Sequence, residues 1–481
     1  MALKTGAQYI ESLRKLKPEV YFMGEKIDSV VDHPATRPHV NAVALTYDMA
    51  WDPQFENLLT ATSHLTGEKI NRFNHIHQSP DDLVKKVQMI RAIGQRTGSC
   101  FQRCVGHDAI NALYQVTYEM DQKLGTPYHQ RLVEFLKHIQ ENDLMPSGSM
   151  TDPKGDRSLP PGQQADPDLY VHVVAKKEDG IIVRGAKAHQ TGVVNNHYII
   201  VLPTVALRPG DEAYAVAFAV PVDAPGVIMI FGRQTNDSRK FEGEIDQGNP
   251  QYGIVGGEAL VIFENVFVPW EKVFMCGEIE FAYPLVERFA GFHRQNYGGC
   301  KTGVSDVLIG ATTLIAQYQG VPGAAHIREK VTEMVHLAET LYCCSIACSA
   351  LGYRTPSGAY FVDPLLANVT KLNVTRHIYE IGRLAHDIAG GLLATLPSEK
   401  DWRHPELGKY VDKYLKGVKD VPTEYRMRIL RLIEAITCGT SLVESMHGAG
   451  SPQAQRIMIQ RQANIPHKQR LALKLAGIKE E

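Results

Sequence analysis

What this chain of 481 residues lacks narrows its function first. No G-x-G-x-x-G follows a strand-like run and no G-x-x-x-x-G-K-[ST] occurs, so neither a Rossmann dinucleotide site nor a P-loop is supported. A nucleotide cofactor must be held by other means. There is no basic block, and a formal net charge of -2 gives no electrostatic reason to expect nucleic acid or an anionic membrane as partner. The opening stretch, Met1-Ala-Leu-Lys-Thr-Gly-Ala-Gln, lacks the apolar core of a signal peptide, and no uninterrupted apolar run is long enough to span a bilayer. A cytoplasmic protein is expected. Eight cysteines in so long a chain form no disulfide framework, and in a reducing compartment they are available as thiols or metal ligands. Internal repeats and low-complexity tracts are also missing.

What is present is a globular composition, 44% hydrophobic and 22% charged, long enough for about three domains. Ser79-Pro-Asp-Asp82 reads as a helix cap followed by Pro and acids in the first turn, with Leu83, Val84, Val87, Ile90 and Ile93 at helical spacing behind it. Leu132, Val133, Leu136 and Ile139 repeat the pattern. Pro, Gly, Asp and Ser then dominate 146–167. Strand-like runs follow at Tyr170–Ala175, Ile181–Arg184, Tyr198–Leu202, Ala213–Val220, Val227–Phe231 and Ala259–Phe263, the first two joined by a Gly180 hairpin. Long amphipathic segments return at Ala325–Leu351, Asp363–Leu384 and Glu424–Met446. The expected fold is α+β and multidomain: an N-terminal helical domain (1–145), a central antiparallel β-barrel or sandwich (146–275) and a C-terminal helical bundle (276–481).

Cys100 and Cys104 are four apart on a helical pattern, which predicts projection from one face. His293 and Cys300 complete a possible set of three thiolates and one imidazole. Such a set suits zinc or an iron–sulfur cluster, and spacing alone does not choose between them. The competing reading is ordinary packing, since free cysteine behaves as a small buried hydrophobe. That reading fits Cys343, Cys344 and Cys348, which lie among Leu341, Ile346, Ala347 and Ala350. It fits Cys100, Cys104 and Cys300 less well, because their company is Gln, Arg, His, Tyr and Lys. Two further stretches, Met150–Arg157 and Lys187–Gly192, offer donors suited to a pyrophosphate or a flavin edge; the alternative for each is a plain polar loop.

Five motifs together carry a resemblance: Cys100-Phe-Gln-Arg-Cys104, Met150-Thr-Asp-Pro-Lys-Gly-Asp-Arg157, Gly185-Ala-Lys-Ala-His-Gln-Thr-Gly192, His293 to Lys301, and Glu444 to Met458. The chain resembles the 4-hydroxybutyryl-CoA dehydratase (vinylacetyl-CoA isomerase) family, a branch of the 4-hydroxyphenylacetate 3-monooxygenase superfamily. The resemblance implies an acyl-CoA dehydrogenase-like fold assembled as a homotetramer. It implies a [4Fe–4S] cluster on Cys100, Cys104, His293 and Cys300, with FAD close by. Met150, Thr151, Asp152, Lys154, Gly155, Asp156, Arg157, His189, Gln190 and Thr191 match flavin-contacting segments. Asp387, Gly390 and Gly391 are similar to the turn with which a neighbouring subunit reaches the flavin. His293, Glu444, Tyr297, Lys301, Glu258, Thr191 and Gln102 match catalytic or site-lining positions. Gly253-Ile-Val-Gly-Gly257, before Glu258, departs from the family pattern.

The implied reaction removes water from 4-hydroxybutyryl-CoA to give crotonyl-CoA, taking a proton from an unactivated carbon. An acid–base pair supplies only about two to four orders of magnitude, so the resemblance points to a radical route with FAD as transient one-electron acceptor and the cluster as Lewis acid. Glu444, its pKa raised by desolvation, or a freed His293 would be the base. Tyr297 and Lys301 would position the thioester oxygen or donate protons. Such an enzyme is expected to be oxygen-sensitive. The rival readings are a reduced-flavin aromatic monooxygenase of the same superfamily and a zinc-stabilised scaffold.

Overall fold

The computed structural model describes residues 3–204, 207–233 and 238–478. Met1 and Ala2, the first residues of the N-terminal stretch read above, lie outside them. The chain runs helices, strands, helices. Helix Pro80–Thr97 starts as its sequence predicts: the Ser79 hydroxyl accepts from Asp82 N at 3.2 Å, Pro80 fills the first turn, and Gly98 closes the helix at φ +57°. Helices Cys104–Leu124 and Tyr128–Glu141 follow.

The strands form two open sheets. The six-stranded sheet runs, edge to edge, Glu25–Lys26, Glu19–Phe22, Val227–Phe231, Ala259–Pro269, Gly180–Gln190, His172–Lys176. The four-stranded sheet runs Val273–Cys276, Val216–Pro221, Tyr198–Val201, Pro146–Ser149. Their inner faces share one apolar core, with Phe218 and Phe263 edge to face at 5.9 Å. A closed barrel is therefore not formed, and the sheets are not purely antiparallel. Glu19–Phe22 pairs in parallel with Val227–Phe231, and Pro146–Ser149 in parallel with Tyr198–Val201. Both strands are joined to their partners by long stretches of chain, which is the condition under which parallel pairing is open.

The second helical layer is organised on Ile279–Tyr318, a 40-residue helix. It packs against Pro80–Thr97, Cys104–Leu124, Ala325–Ala350, Pro364–Ala389 and Thr423–Thr437. Glycine permits the approach. A Cβ on Gly298 would lie 2.4 Å from Ser345 Cβ, and one on Gly303 2.4 Å from the Arg91 carbonyl. The segment expected as one helix over Glu424–Met446 is two, Thr423–Thr437 and Gly439–His447, parted at an extended Cys438. The Thr437 hydroxyl donates back to Ile433 O at 2.6 Å at the break, a local bond that competes with helix continuation. Among the described residues no helix is long and apolar enough to cross a membrane.

Candidate functional site

The first wall of the site is the turn before helix Cys104–Leu124. Cys100–Arg103 are not helical, Gln102 has φ +69°, and the helix begins only at Cys104. Cys100 and Cys104 thus do not share a helix face. Cys100 instead sits on a loop whose backbone N–H donates to Ile254 O at 3.3 Å. The loop is pinned by Arg103, whose buried guanidinium lies 4.1 Å from the centre of the Tyr47 ring and 4.5 Å from that of Phe73 and donates to the Thr46 hydroxyl at 3.0 Å. Gln102 turns inward, donating to His39 O at 3.2 Å and Cys100 O at 3.3 Å.

The central helix supplies the second wall. His293, Tyr297, Cys300 and Lys301 stand at i, i+4, i+7 and i+8, one stripe of a helix. Tyr297 donates to Glu444 Oε1 at 2.5 Å, and the Lys301 ammonium binds Glu444 Oε2. Glu444 comes from helix Gly439–His447, so the break at Cys438 swings it over the stripe. Burial opposes the Glu444 carboxylate, but Lys301, Tyr297 and Lys371 outweigh burial and hold its pKa below the ordinary value. The expectation of a desolvated, raised Glu444 is therefore reversed: cations that the sequence did not associate with it surround it. Burial also opposes the Lys301 cation, yet Glu444 and Cys300 hold Lys301 above its ordinary value. Tyr297 is raised well above the usual phenol value by burial and then by Glu444, so it remains a protonated donor.

The third wall is the β region. The Thr191 hydroxyl donates to Glu258 Oε1 at 3.3 Å, and Gly192 N to Gly256 O at 2.9 Å. A Cβ on Gly256 would lie 2.5 Å from Thr191 Cγ2 and 2.9 Å from both Cys100 Sγ and Gln102 Cγ. Thr191, Glu258, Gln102 and Cys100 are thus brought together at one glycine.

The proposed flavin segments are placed less uniformly. Asp152 is committed to Lys187, Nζ to Oδ1 at 2.5 Å, and Lys187 also donates to Met150 O at 2.9 Å and Leu202 O at 2.7 Å. Thr151 O accepts from Ala188 N and from Gln190 Nε2, each at 2.9 Å. These bonds fasten Met150–Asp152 to strand Gly180–Gln190. Lys154, Gly155, Asp156 and Arg157 continue as an exposed loop, in which the Asp156 carboxylate accepts from Ser158. His189, at φ +58°, is exposed, and its pKa is lowered by burial of part of the ring and then by Lys154 and His447. Asp387, Gly390 and Gly391 are not part of this assembly. Asp387 pairs with Lys330 at 2.8 Å, and Gly390 lies about 28 Å along its helix axis from Lys371, at 1.5 Å per residue.

Four polar side chains of the site were missed from sequence. Asp108 accepts from His293 Nδ1 at 2.7 Å, Asn296 Nδ2 at 2.5 Å and Lys86 Nζ at 2.6 Å. Lys371 lies 4.5 Å from the Tyr297 ring centre and donates to Ser445 O at 2.8 Å; burial brings its pKa down to about 7. The i+4 spacing from Cys104 to Asp108 is a signal that was available. Lys371 carried none.

Three thiols converge here. Burial pushes Cys104 well above the ordinary thiol value, and Cys100, Asp108 and Cys300 add to the rise. Cys100 is raised by burial and then by Glu444 and Glu258. Cys300 is pushed up to about 11, burial outweighing the opposing Lys301. Burial is the main cause of all three rises, and Lys301 and Lys86 oppose it only in part, so without a metal the thiols stay protonated at neutral pH. Among the described residues, no group of three or more His, Cys, Asp or Glu side chains is placed so that it could hold a metal ion.

A helical layer, two open sheets and a second helical layer with a thiol, carboxylate and lysine site at their junction define the class. The sequence matches the 4-hydroxyphenylacetate 3-hydroxylase N terminal family over residues 5–275 and its C terminal family over residues 282–477. It is 57% identical to the 4-hydroxybutyryl-CoA dehydratase/vinylacetyl-CoA-Delta-isomerase of Clostridium aminobutyricum, covering 99% of this chain and 100% of that one. It shares 54% identity and a TM-score of 0.97 with an oxygen-tolerant archaeal 4-hydroxybutyryl-CoA dehydratase from N. maritimus, over 100% and 96% of the two chains. The FAD-bound oxygenase component of 4-hydroxyphenylacetate 3-monooxygenase, 24% identical over 98% of each chain, shares the fold at a TM-score of 0.85. An acyl-CoA dehydrogenase from Slackia heliotrinireducens shares it more distantly, at 0.50 with 12% identity over 80% and 81% of the chains. The chain belongs to the 4-hydroxyphenylacetate 3-hydroxylase family and, within it, to the 4-hydroxybutyryl-CoA dehydratase group.

Proposed function

We propose that this enzyme dehydrates 4-hydroxybutyryl-CoA to crotonyl-CoA and isomerises vinylacetyl-CoA, with FAD and a [4Fe–4S] cluster held on Cys100, Cys104, His293 and Cys300. The observation that carries the reading is the full-length 57% identity to the Clostridium enzyme, joined to a site in which three thiols influence one another and Asp108, which acts on Cys104, binds the His293 imidazole. What supports a cluster is the chemistry of the donors: three thiols and one imidazole, a set that also suits zinc, with a cubane taking one donor per iron and so needing no common centre. Bound flavin would supply one-electron redox chemistry and the cluster an electrophilic iron.

The chain's own residues account for the remainder. Tyr297, protonated, spends its one O–H on Glu444, whereas Lys301, charged, binds Glu444 and keeps further ammonium protons for a thioester carbonyl or a leaving oxygen. Glu444 serves as an ionised acceptor at neutral pH. Thr191, Gln102 and Glu258 close the opposite wall and shape the acyl end of the pocket. Met150–Arg157, His189 and Gln190 border the flavin. Gly390 and Gly391 stand about 28 Å along their helix from Lys371 at the site, which suits their use by a neighbouring subunit in a homotetramer. The helices within 1–145, the sheets of 146–275 joined by strands Glu19–Phe22 and Glu25–Lys26, and the helices of 276–481 meet at the site, and a cytoplasmic location suits the free thiols.

Anaerobic assay with 4-hydroxybutyryl-CoA, following crotonyl-CoA, tests the activity. Product formation is expected; failure to turn over, with hydroxylation of a phenol by reduced FAD instead, would favour the monooxygenase reading. His293→Cys should keep iron and abolish dehydration, and near-normal turnover would refute a role for the imidazole. Exposure to air should inactivate the enzyme. Retained activity would place it with the oxygen-tolerant relative and against the expected sensitivity.

A further inference from the structure

We propose that Asp108, held by Lys86 and Asn296, is a positioning residue that aims the Nε2 of His293 into the thiol cluster. The proposal rests on the cluster reading above. Asp108 and Lys86 are each fully buried, on helices Cys104–Leu124 and Pro80–Thr97, and meet the central helix at His293. Both Asp108 oxygens are used: Oδ1 accepts from Lys86 at 2.6 Å, and Oδ2 from His293 Nδ1 at 2.7 Å and Asn296 Nδ2 at 2.5 Å. An acceptor-only carboxylate at Nδ1 requires a proton there, so Nε2 is the ring nitrogen left for a metal.

The imidazole has little freedom to turn away. Phe289 stacks on it at 5.5 Å and 27°, and Tyr297 meets its edge at 5.5 Å and 84°. Among the described residues no hydrogen bond is made by Nε2. The same pair of helices carries two of the thiols. Cys104 lies one turn before Asp108, and Cys300 two turns after His293, so an antiparallel crossing that joins Asp108 to His293 also brings Cys104 toward Cys300. Cys300 packs against the cluster that contains Cys104. The Asp108–His293 bond is one rung of this crossing, and the thiols form the next.

A buried Lys–Asp pair is poor evidence of stabilisation, because a well-packed apolar pair is often neutral or better. That fact separates aiming from folding. The paired variant Lys86→Met with Asp108→Leu removes both charges, keeps the volume, and leaves Nδ1 without its acceptor. Its urea midpoint is expected to lie above that of Lys86→Met alone, which strands the Asp108 charge, and below the parent's, because the His293 and Asn296 donors lose their acceptor. After anaerobic reconstitution with iron and sulfide, the histidine-nitrogen hyperfine coupling in the reduced cluster should be lost or altered, and kcat should fall about 10- to 100-fold, the cost typical of removing such a support. KM should change much less than kcat. Lys86→Met with Asp108→Asn, which retains a weaker neutral acceptor, should fall between this variant and the parent and guards against a folding failure of the Leu form. Wild-type coupling, iron content and kcat in either folded variant would overturn the proposal. Absence of histidine coupling in the parent itself would instead sink the cluster reading.

Discussion

Two buried lysine–aspartate pairs divide the molecule's work. Lys187–Asp152 lies at the flavin-side segment and Lys86–Asp108 under the thiol cluster, and in both the side chains are almost or wholly excluded from water. In the first the lysine is the hub: it reaches Asp152, Met150 O and Leu202 O, and so ties a loop to two strands. In the second the aspartate is the hub and gathers a lysine, an amide and an imidazole. A cationic hub bonded to main-chain carbonyls fixes backbone. An anionic hub bonded to a histidine fixes a tautomer. The same ion pair thus builds a wall in one place and orients a ligand in the other.

The largest break in this comparison is expected from Lys86→Met alone. It strands Asp108 in the core, and removing one partner of a buried pair costs about 3–5 kcal/mol, so urea unfolding should show a loss of that order together with lost iron. Lys187→Met should cost somewhat less, about 3 kcal/mol by the same reasoning, because Asp152 is 6% exposed and can relax toward water. It should weaken FAD binding, measured by flavin fluorescence titration, while leaving iron content intact. Iron loss in both variants would erase the distinction drawn here.

A third buried lysine sharpens the comparison at smaller scale. Lys371 donates to the Ser445 and Met446 carbonyls, and burial takes its pKa down to about 7. Its unfolded value is about 10.4, so between those values the unfolded chain binds the extra proton and stability rises with pH. Lys371→Met should flatten that rise, read as the urea midpoint at neutral pH against mildly alkaline pH. Parallel profiles for variant and parent would remove the case for a depressed lysine.

Much of the fold could be read from local signals. Ser79-Pro-Asp-Asp82 began its helix where expected, and the Gly180 hairpin formed, because capping and turn chemistry act over a few residues. The strands Glu19–Phe22 and Pro146–Ser149 were not anticipated, since their parallel partners lie far away in sequence and no local pattern records them. At the site, His293, Tyr297, Cys300 and Lys301 were picked out by residue type and by the resemblance, and their common stripe appears only with the helix Ile279–Tyr318; the helical face expected for Cys100 and Cys104 does not form. A positive φ at Gln102 uncouples Cys100 from the helix, and such a backbone turn in a non-glycine residue leaves no mark in composition. The direction of the Glu444 shift was also misjudged, because desolvation is foreseeable from an apolar setting but neighbouring Lys301 and Lys371 are tertiary facts.

The central claim is that three sulfurs and one imidazole from separate stretches hold an iron–sulfur cluster beside Glu444. The direct measurement is iron and acid-labile sulfide per chain in protein purified without oxygen, taken with its FAD content. The account predicts about four of each for every chain. Protein that dehydrates 4-hydroxybutyryl-CoA with FAD bound but without iron or sulfide would contradict it.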